Sequence, residues 1–148
     1  MEFKVQVRNS QFEKSLLNKI ARVASSLERE VEQELKVSFA LTFSQFRVLN
    51  GLLALGEVSQ RELAKALDVT PAVVTRQVDA LGSRGLVAQR PNPRSKRENV
   101  LALTKKGEQA AVDAAKSIAA RQKSLFEPLS LQEETAFARA IEVLLRGY

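Results

Sequence analysis

The sequence predicts a mainly α-helical chain in which a compact unit of three short helices and a β-hairpin lies between long terminal helices. Three observations carry that expectation. Residues 59–104 read as two short helices, a sharp turn between them, and two β-prone runs around a basic loop. Upstream, apolar residues recur at helical spacing over residues 10–36. Downstream, a second helical pattern begins after Thr104 and, after a break at Pro128, continues almost to the C-terminus.

In chain order, residues 1–9 form a loosely ordered lead-in, within which FKVQV has the composition of a short β-like segment. No signal-peptide core is present there. From Ser10 to Lys36, Leu16, Leu17, Ile20, Val23, Ala24, Leu27, Val31 and Leu35 form one apolar stripe. Glu28-Arg29-Glu30 with Glu32 and Glu34 form a solvated face of mixed charge. At 1.5 Å per residue this helix is about 40 Å long, more than the compact unit can cover. Something else must bury its stripe.

Thr42 and Gln45 form a capping box that opens a helix to about Leu55, with Phe46, Leu49 and Leu53 inward and Gly56 as its end. Glu57-Val58 can add a minimal third strand to the hairpin. Ser59 and Glu62 form a second capping box, and Leu63, Ala64 and Leu67 the buried stripe of the helix it opens. Asp68-Val69-Thr70 breaks that helix. Thr70 then caps the next one, and Pro71 suits its first position, where a missing N–H costs nothing. This helix runs to about Ser83, stops at Gly85, and turns Val74, Val78 and Leu81 inward. Ala72, Thr75, Arg76 and Asp79 are left on the opposite, solvent face.

Leu86–Arg90 and Asn99–Leu103 are short strands around PNPRSKRE. Two prolines and an asparagine disfavour regular structure in that segment, which predicts a protruding loop with Arg94, Lys96 and Arg97 against Glu98 alone. Thr104 caps an alanine-rich helix to about Phe126, carrying Ala110, Ala111, Ala114, Ala115, Ile118, Ala119 and Leu125. Pro128 stops it. Ser130 with Glu133 is a third capping box, opening a last helix with Ala136, Phe137, Ala140, Ile141, Leu144 and Leu145 on its stripe. Two short helices, the second with a free polar face, followed by a hairpin with a basic tip, make a winged helix-turn-helix.

The chain's 148 residues fit a single domain, 1–148, with a winged helix core at 42–104 and dimerisation helices at 10–36 and 105–148. Terminal helices that flank such a core can bury their stripes across the two-fold axis of a homodimer. Net charge is +6, which favours a polyanionic partner. From Arg84 to Lys106 there are seven Lys or Arg and one Glu, so the excess is a local patch on the wing side. With no cysteine and no histidine, disulfides, thiol redox sensing, the usual zinc sites and His-based catalysis are excluded. The acidic residues sit mostly at exposed helical positions with no Gly-rich loop nearby, so no enzyme, cofactor or metal site is expected. No apolar run approaches a membrane span, and the expected location is the cytoplasm.

The ordered set LTxxQ, SxxELAxxL, VxPxxVTRxVxxL, GLV, the basic wing and LTxxG resembles the MarR family of bacterial transcription regulators. The resemblance runs from about Thr42 through the whole winged helix core. It implies a homodimer with interleaved terminal helices, which binds a palindromic double-stranded operator, represses transcription, and is released by a small, often aromatic, anion. Thr70, Pro71, Ala72, Thr75, Arg76 and Gln77 are then the residues that meet base edges and flanking phosphates. Arg76 can read guanine or clamp a phosphate, and the N–H groups of Thr70–Val73 suit a phosphate oxygen. Arg94, Ser95, Lys96 and Arg97 belong to the wing, either as a solvated loop or as a minor-groove contact. Relatives place an arginine seven residues before the LT threonine, as Arg97 is here, and usually hold it with an aspartate two residues earlier. Ser95 departs from that pattern, so Glu98 substitutes or the wing is looser. Phe39, Phe43 and Phe46 are either packing or one side of a ligand pocket. The absence of cysteine argues against the peroxide-sensing branch. A winged helix used for protein contact is the alternative; it predicts weak DNA binding with little salt dependence.

Overall fold

The computed structural model describes residues 14–93 and 95–147, and of residues 96–98 the backbone. The FKVQV segment and the expected helix start at Ser10 lie outside the described residues. The elements are α1 (Leu16–Phe39), α2 (Phe43–Leu55), β1 (Val58–Ser59), α3 (Gln60–Leu67), α4 (Pro71–Ser83), β2 (Val87–Asn92), β3 (Ser95–Leu103), α5 (Lys105–Phe126) and α6 (Leu131–Leu145).

The capping signals are realised as hydrogen bonds. Thr42, Ser59 and Ser130 each accept from the backbone three residues on, and Gln45, Glu62 and Glu133 return the bond to the cap. The bonds from Ser130 also hold the Glu133 carboxyl below its ordinary range. α3 ends at Asp68, left-handed at φ 52°, a conformation aspartate tolerates better than most side chains. There Val69 N–H reaches back five residues to Ala64 O at 3.0 Å, the wide closure by which a left-handed residue ends a helix. α4 ends the same way at Gly85, φ 70°, with Leu86 N–H on Leu81 O at 3.0 Å.

One hydrophobic core joins Leu35 of α1, Val48, Leu49 and Leu52 of α2, Leu63 of α3, Val74, Val78 and Leu81 of α4, Leu101 of β3, and Ala111 and Ala114 of α5. The inner face of α2 differs from expectation. Leu49 is buried as predicted, but Val48 and Leu52 are its deepest companions, while Phe46 and Leu53 are only half-buried. Small alanines on α5 let that helix pass close to α1 and α2.

The three strands are ordered β1-β3-β2, antiparallel, with Val58 opposite Leu101 and Val87 opposite Leu103. The expected irregular loop over PNPRSKRE is corrected. β2 continues through Pro91 to Asn92, and β3 starts at Ser95. Pro91 is tolerated because β2 is an edge strand, where a missing N–H breaks no central ladder. The pairing jumps from Pro91↔Asn99 to Asn92↔Ser95, so the irregularity falls on residues 96–98 instead of disrupting both strands.

α1 continues three residues past the expected Lys36 and is tied to its neighbours at several points. Glu32 accepts from Phe43 N–H at 2.7 Å, fixing the start of α2. Glu34 accepts from Ser117 of α5 at 2.5 Å and Ser38 at 2.8 Å, and these bonds lower its carboxyl pKa. Arg121 of α5 pairs with Glu30 at 3.5 Å. Beyond these links and the core contacts of Leu35, Ala111 and Ala114, much apolar surface of α1 and α6 is exposed. Leu16, Leu17 and Val23 of α1 are exposed, and α6 buries no residue.

Candidate nucleic-acid interface

The candidate surface is built on α4. Thr70, extended at φ −74° and ψ 151°, caps it, and Pro71 occupies the first turn. The cap bond takes up one expected phosphate donor, since Val73 N–H is held by Thr70 Oγ1 at 3.4 Å and by Thr70 O at 3.0 Å. Pro71 offers no N–H, so the expected Thr70–Val73 set narrows to Thr70 and Ala72. Because Val74, Val78 and Leu81 are fully buried, the opposite face is forced outward, and Ala72, Thr75, Arg76 and Asp79 are exposed together.

Gln77 does not share that face. It is only 8% exposed and lies on the buried side of α4, so its assignment to the reading set is corrected. The reason is geometric: Gln77 is three residues after Val74 and four before Leu81, inside the apolar stripe.

Several polar contacts order the exposed face. Thr75 Oγ1 donates to Pro71 O at 2.9 Å and accepts from Gln60 Nε2 of α3 at 2.7 Å. Asp79 accepts from Gln89 Nε2 of β2 at 3.3 Å, and Gln89 Oε1 accepts from Asn99 Nδ2 of β3 at 3.4 Å. Helix α4 is thereby linked to both strands of the wing. Sequence reading singled out neither Gln60 nor Gln89, and no short-range pattern marks them.

The basic patch is also more structured than its net charge suggests. Arg84 donates to Ala40 O at 2.7 Å and Phe39 O at 3.0 Å, which caps the C-terminus of α1. Lys106 Nζ donates to Arg84 O at 3.0 Å, and Arg90 forms an ion pair with Glu57. These three cations are anchored within the chain. Arg94 lies outside the described residues, as do the side chains of Lys96 and Arg97. Ser95 opens β3, half-buried and opposite Asn92.

Phe39, Phe43 and Phe46 are partly buried against the core, and the rings of Phe43 and Phe46 stack with centroids 6.5 Å apart. Phe43 also borders an open groove of about 430 Å³ with Ser25, Glu28, Arg29, Glu32 and Ser44. No group of acidic residues among the described residues is placed to hold a metal ion. No described helix is long and apolar enough to cross a membrane.

The sequence profile of the MarR family matches residues 41–98. An uncharacterized HTH-type transcriptional regulator of Bacillus subtilis, YwoH, is 27% identical over 131 residues, covering 88% of this chain and 94% of that protein. The multiple antibiotic resistance protein MarR of Salmonella typhimurium is 36% identical over 67 residues, covering 45% of this chain and 46% of that protein. Among solved structures, the reduced form of MarR from E. coli is similar at a TM-score of 0.80 and 26% identity, covering 88% of this chain and 96% of that one.

Proposed function

Because the chain belongs to the MarR family, we propose that this DNA-binding transcription regulator is a homodimeric repressor presenting two copies of α4 to successive major grooves of a palindromic operator. The observation that carries this reading is the exposed set Ala72, Thr75, Arg76 and Asp79, backed by a fully buried stripe and flanked by the wing. Arg76 would read guanine or hold a phosphate, and the Thr70 and Ala72 N–H groups would receive a phosphate oxygen. In this reading 42–104 is the DNA-binding core, with Arg94, Lys96 and Arg97 along the adjacent minor groove. The stretches 10–36 and 105–148 form the dimer, a role supported by the bare apolar surface of α1 and α6.

We assign release from DNA to a small aromatic anion that favours a head spacing unable to fit both grooves. The Phe39, Phe43 and Phe46 group is its candidate contact. A regulator of this kind acts where the chromosome is, in the bacterial cytoplasm.

Selection of genomic fragments by the purified protein tests the reading. The expected result is a palindromic motif whose half-sites are centred about one helical turn apart, roughly 34–36 Å. Recovery of no motif would refute it. With the motif in hand, Arg76→Ala should lose about 1–3 kcal/mol, concentrated at one position of each half-site, if Arg76 reads a base. A uniform loss with a shallower salt slope would make it a phosphate clamp. No loss would remove it from the interface.

A further inference from the structure

The hydrogen bonds around Thr75 decide which of its atoms remains to meet DNA. A threonine hydroxyl has one proton, and here it goes to Pro71 O within the same helix, at 2.9 Å. The 2.7 Å contact with Gln60 must therefore run from Gln60 Nε2 to the hydroxyl oxygen. That proton count also fixes the Gln60 carboxamide, with its nitrogen toward Thr75 and its oxygen away. Threonine on a helix ordinarily divides between two χ1 rotamers, one of which returns its hydroxyl to the preceding turn. The bond from Gln60 favours the rotamer that makes the Pro71 contact. With its proton and one lone pair engaged, the part of Thr75 that takes no part in hydrogen bonding is its γ-methyl group, on a residue exposed on α4.

We propose that Gln60 is a positioning residue for sequence recognition, holding Thr75 so that it reads a thymine methyl group and not a hydrogen-bonding edge. This rests on α4 being the base-reading helix. Gln60 would act from α3, the helix that does not itself lie in the groove, and so extend the specificity surface beyond α4. In the major groove only thymine presents a C5 methyl, so methyl-to-methyl contact distinguishes it from cytosine without any polar exchange.

The test uses the full-length protein and its selected operator, with each half-site thymine replaced in turn by deoxyuridine. That replacement removes one methyl group and leaves every hydrogen-bonding atom in place. The wild type should show a penalty of about fourfold at one thymine, the scale of one buried methyl-sized group. Thr75→Val keeps a γ-methyl, is confined to one χ1 rotamer on a helix without needing the bond from Gln60, and should keep the penalty. Thr75→Ser has no γ-methyl and should lose it. Gln60→Ala should reduce the penalty to less than twofold, with thermal stability unchanged, because the helix-capping pair is Ser59 and Glu62. The penalty is a ratio, so any uniform loss of affinity cancels from it. Three results would overturn the proposal: no deoxyuridine penalty at any position, loss of the penalty in Thr75→Val, or its full retention in Gln60→Ala. Failure of the wild type to select any operator would instead overturn the function on which the proposal rests.

Discussion

Leu144→Asp is expected to convert the protein to a monomer and to lower operator affinity by about a hundredfold or more, although no DNA-facing residue changes. The structural basis is the state of α6. Leu144 is 52% exposed, beside Leu131 at 80%, Val143 at 60% and Leu145 at 69%, and no residue of the helix is buried within the chain. An apolar surface of this kind is stabilised by a second copy. A carboxylate there would have to be buried without a partner on association, which costs several kcal/mol. Affinity falls because the two reading heads are no longer linked, and linkage of two sites contributes about 10²–10⁴. Sedimentation together with binding anisotropy checks both parts. A soluble monomeric variant with full operator affinity would contradict the dimer reading.

Gly107→Ala is expected to cost about 3 kcal/mol or more, at the upper end for a single substitution, and to lower the melting temperature by roughly 6–12 °C. A Cβ at Gly107 would stand 1.8 Å from the Leu86 carbonyl oxygen and 2.8 Å from its carbon. These are backbone atoms, and the same oxygen already accepts from Thr104 N–H at 3.1 Å, while the Thr104 hydroxyl donates to the neighbouring Gly85 O at 2.6 Å. The carbonyl cannot move without breaking the junction between the wing and α5. Gly82→Ala is the matched control: its nearest contact outside its own helix is Val87 O at 3.7 Å, and it lies within α4. There alanine should be neutral or stabilising by up to about 1 kcal/mol. A thermal melt of Gly107→Ala within about a degree of wild type would rule out the close approach.

The contrast between these two glycines shows what local sequence can convey. Helix starts were legible because a capping box is a contact between residues three apart, and Thr42, Ser59 and Ser130 each make the expected bond. The exposed face of α4 was legible because Val74, Val78 and Leu81 fix the opposite side. Gln77 lies in the N-terminal half of α4, but its spacing from Val74 and Leu81 places it on the buried side. The wing strands were read short because Pro91 looks like a breaker until β2 is known to be an edge. Gly107 was visible as part of LTxxG, but its cause, the carbonyl of Leu86, lies more than twenty residues away. Gln60 with Thr75, and Arg84 with Phe39 and Ala40, are likewise side-chain contacts between distant segments. No periodicity announces such pairs. The stripe on α6 is legible as apolar, yet no residue of that helix is buried within the chain.

The most direct test of the central claim is the affinity of the wild-type protein for its selected operator and for a scrambled duplex, measured across a range of salt concentrations. A dimer that reads bases with α4 and holds phosphates with its wings should favour the operator by at least about 10³. Its binding should weaken steeply with salt, with a log–log slope set by the phosphates it neutralises. Equal affinity for the two duplexes, or binding that ignores salt, would contradict it.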